Sequence, residues 1–365
     1  MDQVNVNFGN VHRDIKMFNV IQTESRRALR HIVALPGIDF CYHTVDRGND
    51  IALIVGILRI HELQLRGRHT YVPPDVDPPV ITLNGEEEVE MPLGSETPYE
   101  DAGATAWDER DGELTVAAEV PEMDIWKAGE YEVKYAVADA SGNATEARRK
   151  VKVVVPEPVE GAVYLTFDDG PSEHTARLLD VLKKYDVKVT FFVIGREMDE
   201  MIKREYEEGH SIGLHTFSHN YAYIYQNTNV FFDDLYAIQN KVREITGYTS
   251  TLMRFPGGSS NTVSAQYDRG TRIMSRLVNE VEARGFRYFD WNISSGDAGG
   301  AKTADEVYNN VTSRLGPGEW VVLQHDTQGF SVDAVERIIQ FGKRNGYQFK
   351  PLTMDSYGAW HGVRN

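Results

Sequence analysis

The feature that most limits what this chain can fold into lies in residues 161–365, where short apolar runs alternate with longer amphipathic ones. The runs "AVYLTF" (162–167), "VKVTFFVI" (187–194), "HSIGLH" (210–215), "STLMRF" (250–255), "FRYFDWNI" (286–293) and "WVVLQHD" (320–326) read as strands. Stretches such as "SEHTARLLDVLKKY", "DLYAIQNKVREITG" and "TRIMSRLVNEVEARG" carry helical spacing. Thr303 with Glu306 predicts a capping box before "VYNNVTSRLG". A strand that is apolar on both faces must be covered on both, and helices between strands supply the cover. The pattern therefore predicts a parallel sheet, and its length fits a (β/α) barrel with reactive groups at the C-terminal strand ends.

Polar groups recur at those ends. In "VYLTFDDGPSEHT" a strand runs into two adjacent carboxylates, Asp168 and Asp169, which repel each other unless something offsets one of them. Another end carries "LHTFSH", with His215 and His219; others carry Arg254, then Trp291 and Asp297 in "DWNISSGD", then His325 in "LQHD". A His-x3-His pair with one carboxylate makes an N,N,O set that leaves positions open for water and substrate. One aspartate then serves as metal ligand and the other stays free as a base. A metal held there lowers the pKa of a water and polarises a carbonyl. Arg254 can hold the free carboxylate ionised, and His325, held by Asp297, can protonate a leaving group. The Gly257 N–H is free to approach an oxyanion closely. Together these groups describe a metal-assisted hydrolase of an amide or ester. Asp290, Asp326, His174 and His210 lie in or beside the same motifs and read as structural.

The ordered motifs "TFDDGP", "HTFSH", "RFPGG", "DWNISSGD" and "LQHD" resemble the five motifs of the polysaccharide deacetylases, carbohydrate esterase family 4 or the NodB-homology group, over about residues 160–350. The resemblance implies a distorted (β/α) barrel with fewer than eight complete repeats. It implies Asp168 as catalytic base, with Asp169, His215 and His219 as ligands of a divalent metal. Zinc is the usual ion, with cobalt or another divalent ion as substitutes. It makes Arg254 the residue that orients Asp168, and His325 the general acid, tuned by Asp297. Trp291 and Leu323 would wall the acetyl pocket, and the Gly257 N–H would meet the oxyanion. One departure is Gly257 itself, where many members carry an aromatic residue; it bears on substrate preference and leaves the chemistry intact.

Charge divides the rest of the chain. Residues 1–75 hold 9 basic and 8 acidic residues, 76–160 hold 7 and 21, and 161–365 hold 22 and 26, within a net charge of −17. The breaks fall at "VPPDVDPP" and "VVVPEPVEG", so the expected segments are 1–75, 76–156 and 157–365. Segment 76–156 alternates β-rich runs, "VITLNG", "ELTVAAEV", "EYEVKYAVAD" and "ARRKVKVVV", with turn signals, which suggests a β-sandwich. It resembles the bacterial Ig-like domains of surface proteins, which imply a spacer or adhesive module. Its clustered acids read as a solvated face rather than a calcium loop.

Segment 1–75 has five histidines without metal-ligand spacing, a helix expected around "TESRRALRHIVAL", and the single cysteine, Cys41, which cannot pair internally. Its run "IALIVGIL" (51–58) is too short to span a bilayer, and "MDQVNVNFGNVHRD" lacks the apolar core of a secretory leader.

The strong acidity argues against a nucleic-acid partner. The reading is a multidomain protein, an Ig-like sandwich before a deacetylase barrel. It would be a metal-dependent N-deacetylase of N-acetylglucosamine units, foremost in peptidoglycan, acting outside a bacterial cell or in its envelope. The alternatives are chitin oligomers or acetylxylan as substrate, or an inert surface protein that binds carbohydrate. The sequence says nothing of oligomeric state.

Overall fold

The structure is a computed structural model and describes residues 73–365. The helix expected around "TESRRALRHIVAL", Cys41 and the run 51–58 lie outside the described residues. The first seven strands are β1 (Val80–Leu83), β2 (Glu88–Pro92), β3 (Ala104–Asp108), β4 (Gly112–Leu114), β5 (Ala117–Glu119), β6 (Gly129–Ala138) and β7 (Ala144–Val154). They form two sheets, ordered β1-β3-β4 and β2-β7-β6-β5. Alternate residues of β6 face inward, so Val133 and Tyr135 pack with Met91 and Val151 between the sheets. This is an Ig-like β-sandwich. The run "ELTVAAEV", expected as one strand, is two: β4 joins one sheet and β5 the other. Two strands, β2 and β3, escaped the sequence reading. In β2 the glutamates and a proline mask the alternation, and only Val89 and Met91 turn inward.

The second half holds β8 (Gly161–Asp168), β9 (Thr190–Val193), β10 (Ser211–Leu214), β11 (Leu252–Met253), β12 (Arg287–Tyr288), β13 (Ile293–Ser294) and β14 (Gly318–His325). Its helices are α1 (Thr175–Lys184), α2 (Asp199–Glu207), α3 (Tyr221–Ile224), α4 (Thr228–Thr246), α5 (Ile273–Ala283), α6 (Ala304–Thr312) and α7 (Gly329–Arg344). The strands pair in the order β12-β11-β10-β9-β8-β14-β13, and every pairing is parallel. The result is a distorted (β/α) barrel of seven strands.

"FRYFDWNI", expected as one strand, is broken into β12 and β13 at opposite edges of this sheet. Asp290 accounts for the break. Its N–H bonds the carbonyl of Ala359, not a neighbouring strand, and its buried carboxylate accepts from Ser259 and from the N–H of His361. The capping box on α6 is present, with Thr303 and Glu306 exchanging hydrogen bonds as expected.

β8 shows why the sequence there is apolar throughout. Val163, Leu165 and Phe167 meet Leu178 and Leu182 of α1 and Ile338 of α7 on the outside, while Ala162 and Tyr164 meet Phe192, Phe289 and Leu352 inside the barrel. The two-residue period puts Thr166 and Asp168 on that same inner face.

Glu205 on α2 stands out in the barrel's packing. It is fully buried, and neither carboxylate oxygen has a hydrogen-bond partner among the described residues. Burial pushes its pKa well above the carboxylate range, and the nearby charge of Asp326 adds to this. The folded chain therefore keeps a proton here that the unfolded chain releases above about pH 4.3, so stability falls as pH rises from there toward the folded pKa. Glu205→Met removes an unsatisfied acid at similar volume. It should raise the unfolding free energy by about 1–3 kcal/mol at neutral pH. In urea titrations, the advantage of the variant over the parent should widen between pH 5 and pH 8; a constant gap would refute the assignment.

Candidate active site

Parallel pairing brings the polar strand ends together. The β8–β14 register sets His325 directly beside Asp168. His215 follows the end of β10 and Arg254 the end of β11, where Leu214 and Met253 are partners. Asp297 follows β13 by three residues. Groups from positions 168 to 325 thus meet at one mouth.

Asp168 is buried, and its Oδ1 accepts from Arg254 Nη1 at 2.7 Å. Arg254 is itself fully buried and donates to the Thr166 hydroxyl and to the carbonyls of Phe289 and Asp290. Its guanidinium lies 4.2 Å from the Phe192 ring centre. These contacts hold one planar fork in one orientation, so the carboxylate it grips is also held. Burial pushes the Asp168 pKa up, and the charges of Arg254 and His325 pull the other way.

Asp169 lies one residue beyond the inner face and has quite different surroundings. Its backbone is left-handed at φ 67°, as are Thr216 at φ 64° and His219 at φ 48°. Such residues cost about 1–3 kcal/mol each and cluster where function needs them. The turn brings Asp169 Oδ1 to 3.2 Å from His219 Nε2 and 3.5 Å from His215 Nε2. The Nδ1–H of His215 donates to the carbonyl of Arg254 at 2.8 Å, which leaves Nε2 as the free lone pair. Burial pushes the His215 pKa down to about 3, so the ring stays neutral, as a ligand must.

Asp169 Oδ1 is buried and has no hydrogen-bond partner. A buried carboxylate oxygen facing two histidine nitrogens is stabilised by a positive charge placed between them. Tetrahedral ligands of zinc stand about 3.3–3.6 Å apart, close to the spacings found. The three residues therefore fit a divalent metal.

His325 Nδ1 bonds Asp297 Oδ1 at 2.9 Å, and Asp297 Oδ2 accepts from the His325 N–H. Its Nε2 points toward Asp169 Oδ2, 4.0 Å away. Burial opposes a charge on the ring, but Asp297 first, and then the charges of Asp168 and Asp169, outweigh it, and the His325 pKa is pushed up to about 9. At neutral pH the ring carries a proton on the nitrogen that faces the site. That is the state of a general acid.

The polysaccharide deacetylase family model matches residues 156–273, and that of the bacterial surface protein Ig-like domain matches 81–153. A peptidoglycan-N-acetylglucosamine deacetylase of Bacillus cereus is 37% identical over 216 residues, 55% of this chain and 74% of that protein. This chain belongs to the polysaccharide deacetylase family. A Listeria monocytogenes protein of the same description is 30% identical over 69% of this chain and 52% of its own length. Among solved structures, the catalytic domain of a peptidoglycan N-acetylglucosamine deacetylase from Eubacterium rectale is 47% identical and covers 58% of this chain and 97% of its own, with a TM-score of 0.54.

Other expected residues of the deacetylase lie as follows. Trp291 is half-buried, with its ring 5.7 Å from the Arg254 guanidinium. Leu323 is buried on the β14 face that also presents His325. The N–H of Gly257 has no hydrogen-bond partner among the described residues. The preceding carbonyl, of Pro256, accepts from the Tyr225 hydroxyl at 2.7 Å. In a trans peptide the N–H points opposite to that carbonyl, so Tyr225 aims the Gly257 N–H away from itself.

Thr166, Tyr225 and His361, which bond Arg254, the Pro256 carbonyl and the Trp291 carbonyl, went unnoticed in the sequence. His361 packs against Trp291 at 4.7 Å between ring centres and bonds the Trp291 carbonyl. Thr166 could have been found by its two-residue offset from Asp168; His361 carried no local signal. His210 is buried, its Nδ1 accepts the N–H of Val189, and burial lowers its pKa to about 4. Asp326 accepts from the Thr175 hydroxyl.

In the Ig-like domain the acids are not all on a solvated face. Asp75, Asp108 and Asp139 converge, with one oxygen of each within 4.8 Å of the others. Their oxygens accept from backbone N–H groups of Asp77, Arg110, Asp111 and Asn143.

Proposed function

We propose that this deacetylase hydrolyses acetamide groups of N-acetylglucosamine residues in peptidoglycan, with a divalent metal, at the envelope of a bacterium. The observation that carries the reading is the division of labour between two adjacent aspartates. Asp168 is gripped by Arg254, and Asp169 faces two histidines through an oxygen with no other partner. The described names of the relatives support the substrate. Residues 76–156 would serve as a spacer for the catalytic segment, 157–365. Among the described residues no helix is long and apolar enough to cross a membrane.

A divalent cation held by Asp169, His215 and His219, most simply zinc, would supply Lewis acidity to a water and to the acetamide carbonyl. Asp168 takes the proton of the attacking water, and Arg254 keeps that carboxylate in place. Attack forms the new C–O bond. The Gly257 N–H bonds the carbonyl oxygen as negative charge develops there. His325 gives its Nε2 proton to the departing nitrogen as the C–N bond breaks, and Asp297 stabilises the imidazolium beforehand. Trp291 and Leu323 enclose the acetyl methyl. Acetate and a free amino sugar leave.

The test is acetate release by the metal-stripped chain, with and without zinc, on peptidoglycan, chitopentaose and acetylxylan in parallel. Zinc-dependent release greatest on peptidoglycan is expected. A preference for chitopentaose or acetylxylan would replace the substrate while keeping the chemistry. Stoichiometric zinc binding with no release from any of the three would favour an inert carbohydrate-binding barrel.

A further inference from the structure

The Tyr221 hydroxyl has no assigned role and no hydrogen-bond partner among the described residues. Its ring is fixed from two sides. It stands edge-on to His219 at 5.5 Å and to Tyr225 at 5.6 Å between ring centres. The hydroxyl lies in the field of both Asp169 and Asp168. It also lies against Gly257: a Cβ built there would stand 2.7 Å from Tyr221 Oη. Gly257 has φ 77°, so a side chain would be both strained and obstructed. The glycine and the phenol therefore fit each other. The space that a larger residue at 257 would claim is held by a hydroxyl carried on another segment.

A half-buried hydroxyl without a partner is a poor structural element, because its removal breaks no bond. It is a good donor to something that arrives. The acetamide carbonyl comes to this same place under the reading above, where the Gly257 N–H is also unpaired. We propose that Tyr221 Oη donates a hydrogen bond to the carbonyl oxygen of the acetamide undergoing hydrolysis, beside the N–H of Gly257. This inference rests on the proposed deacetylation and adds a second fixed donor where charge develops. Tyr221 is then a catalytic residue.

The test uses the full zinc-loaded chain with chitopentaose as probe. Tyr221→Phe keeps the ring and removes only the hydroxyl. The expected result is a fall in kcat of about 100-fold, the loss seen when one such donor is removed, with KM changed less than about twofold. Zinc stoichiometry and the thermal midpoint should not move, since the hydroxyl bonds nothing in the free protein.

Gly257→Ala completes a double-mutant cycle. Its Cβ displaces Oη in the parent, so the alanine should cost less in the Tyr221→Phe background than in the parent. A kcat for Tyr221→Phe within about threefold of the parent, a loss confined to KM, or strictly additive effects would each overturn the proposal. Failure of the parent to release acetate would instead overturn the proposed function itself, so the two failures are distinguishable.

Discussion

Asp168→Asn should lower kcat for acetate release by about 10³-fold or more while zinc still binds with unchanged stoichiometry. The asparagine keeps the shape of the side chain and removes its capacity to accept a proton, which is worth about 10²–10⁴-fold in general base catalysis. The surroundings argue that the fold survives. Arg254 retains the Thr166 hydroxyl and the carbonyls of Phe289 and Asp290 as acceptors. The buried guanidinium does lose its one carboxylate, so a stability loss of about 3 kcal/mol is expected. The kinetic loss should persist at temperatures where circular dichroism shows the variant fully folded. Near-parental turnover in the folded variant would remove Asp168 from the mechanism and leave its pairing with Arg254 as purely structural.

The second large effect concerns the cation. Zinc at a hundredfold excess over its dissociation constant should stabilise the parent by about 2.7 kcal/mol through mass action. Asp169→Asn should abolish that stabilisation at the same zinc concentration and take acetate release with it. The reason is electrostatic. Asp169 Oδ1 is a buried oxygen whose close neighbours are two histidine nitrogens, and one of these belongs to a ring kept neutral by burial. The amide removes the only formal charge in the proposed ligand set. Loss of a mere supporting partner of a ligand costs about 10–100-fold in affinity, so loss of the ligand charge should cost more. Thermal unfolding with and without zinc, together with calorimetric titration, reads both quantities. An unchanged zinc shift in the variant would show that the cation binds elsewhere.

Much of this molecule was legible from local pattern. The apolar run 162–167 could only be a strand covered on both faces, and the helices that cover it were visible from their spacing. Thr303 and Glu306 marked a helix start because a capping box is built within four residues. The order of the five motifs was enough to place the chain in its family. What escaped were features that depend on distant partners. "FRYFDWNI" reads as one strand by propensity, yet Asp290 ties it to Ser259 and to residues 359 and 361, so it splits across the two edges of the sheet. "ELTVAAEV" splits because its two halves pair with different sheets of the sandwich. Tyr221 lies two residues beyond a motif and carries no signal of its own, because what sets it apart is a hydroxyl against Gly257, 36 positions away.

The sequence by itself determined the classes of chemistry present: two carboxylates at a strand end, a histidine pair, an arginine and a third histidine with its own aspartate. It determined also that a parallel sheet would carry them, because periodicity is a property of neighbouring residues. Only the tertiary structure decided that Asp168 and Asp169, adjacent in the chain, have unlike environments. Asp168 ends the inward face of β8 and meets Arg254 from β11, whereas Asp169 turns through φ 67° to face His215 and His219. That difference arises from backbone direction and from side chains more than 45 positions away, and neither is written in the residues that surround the pair.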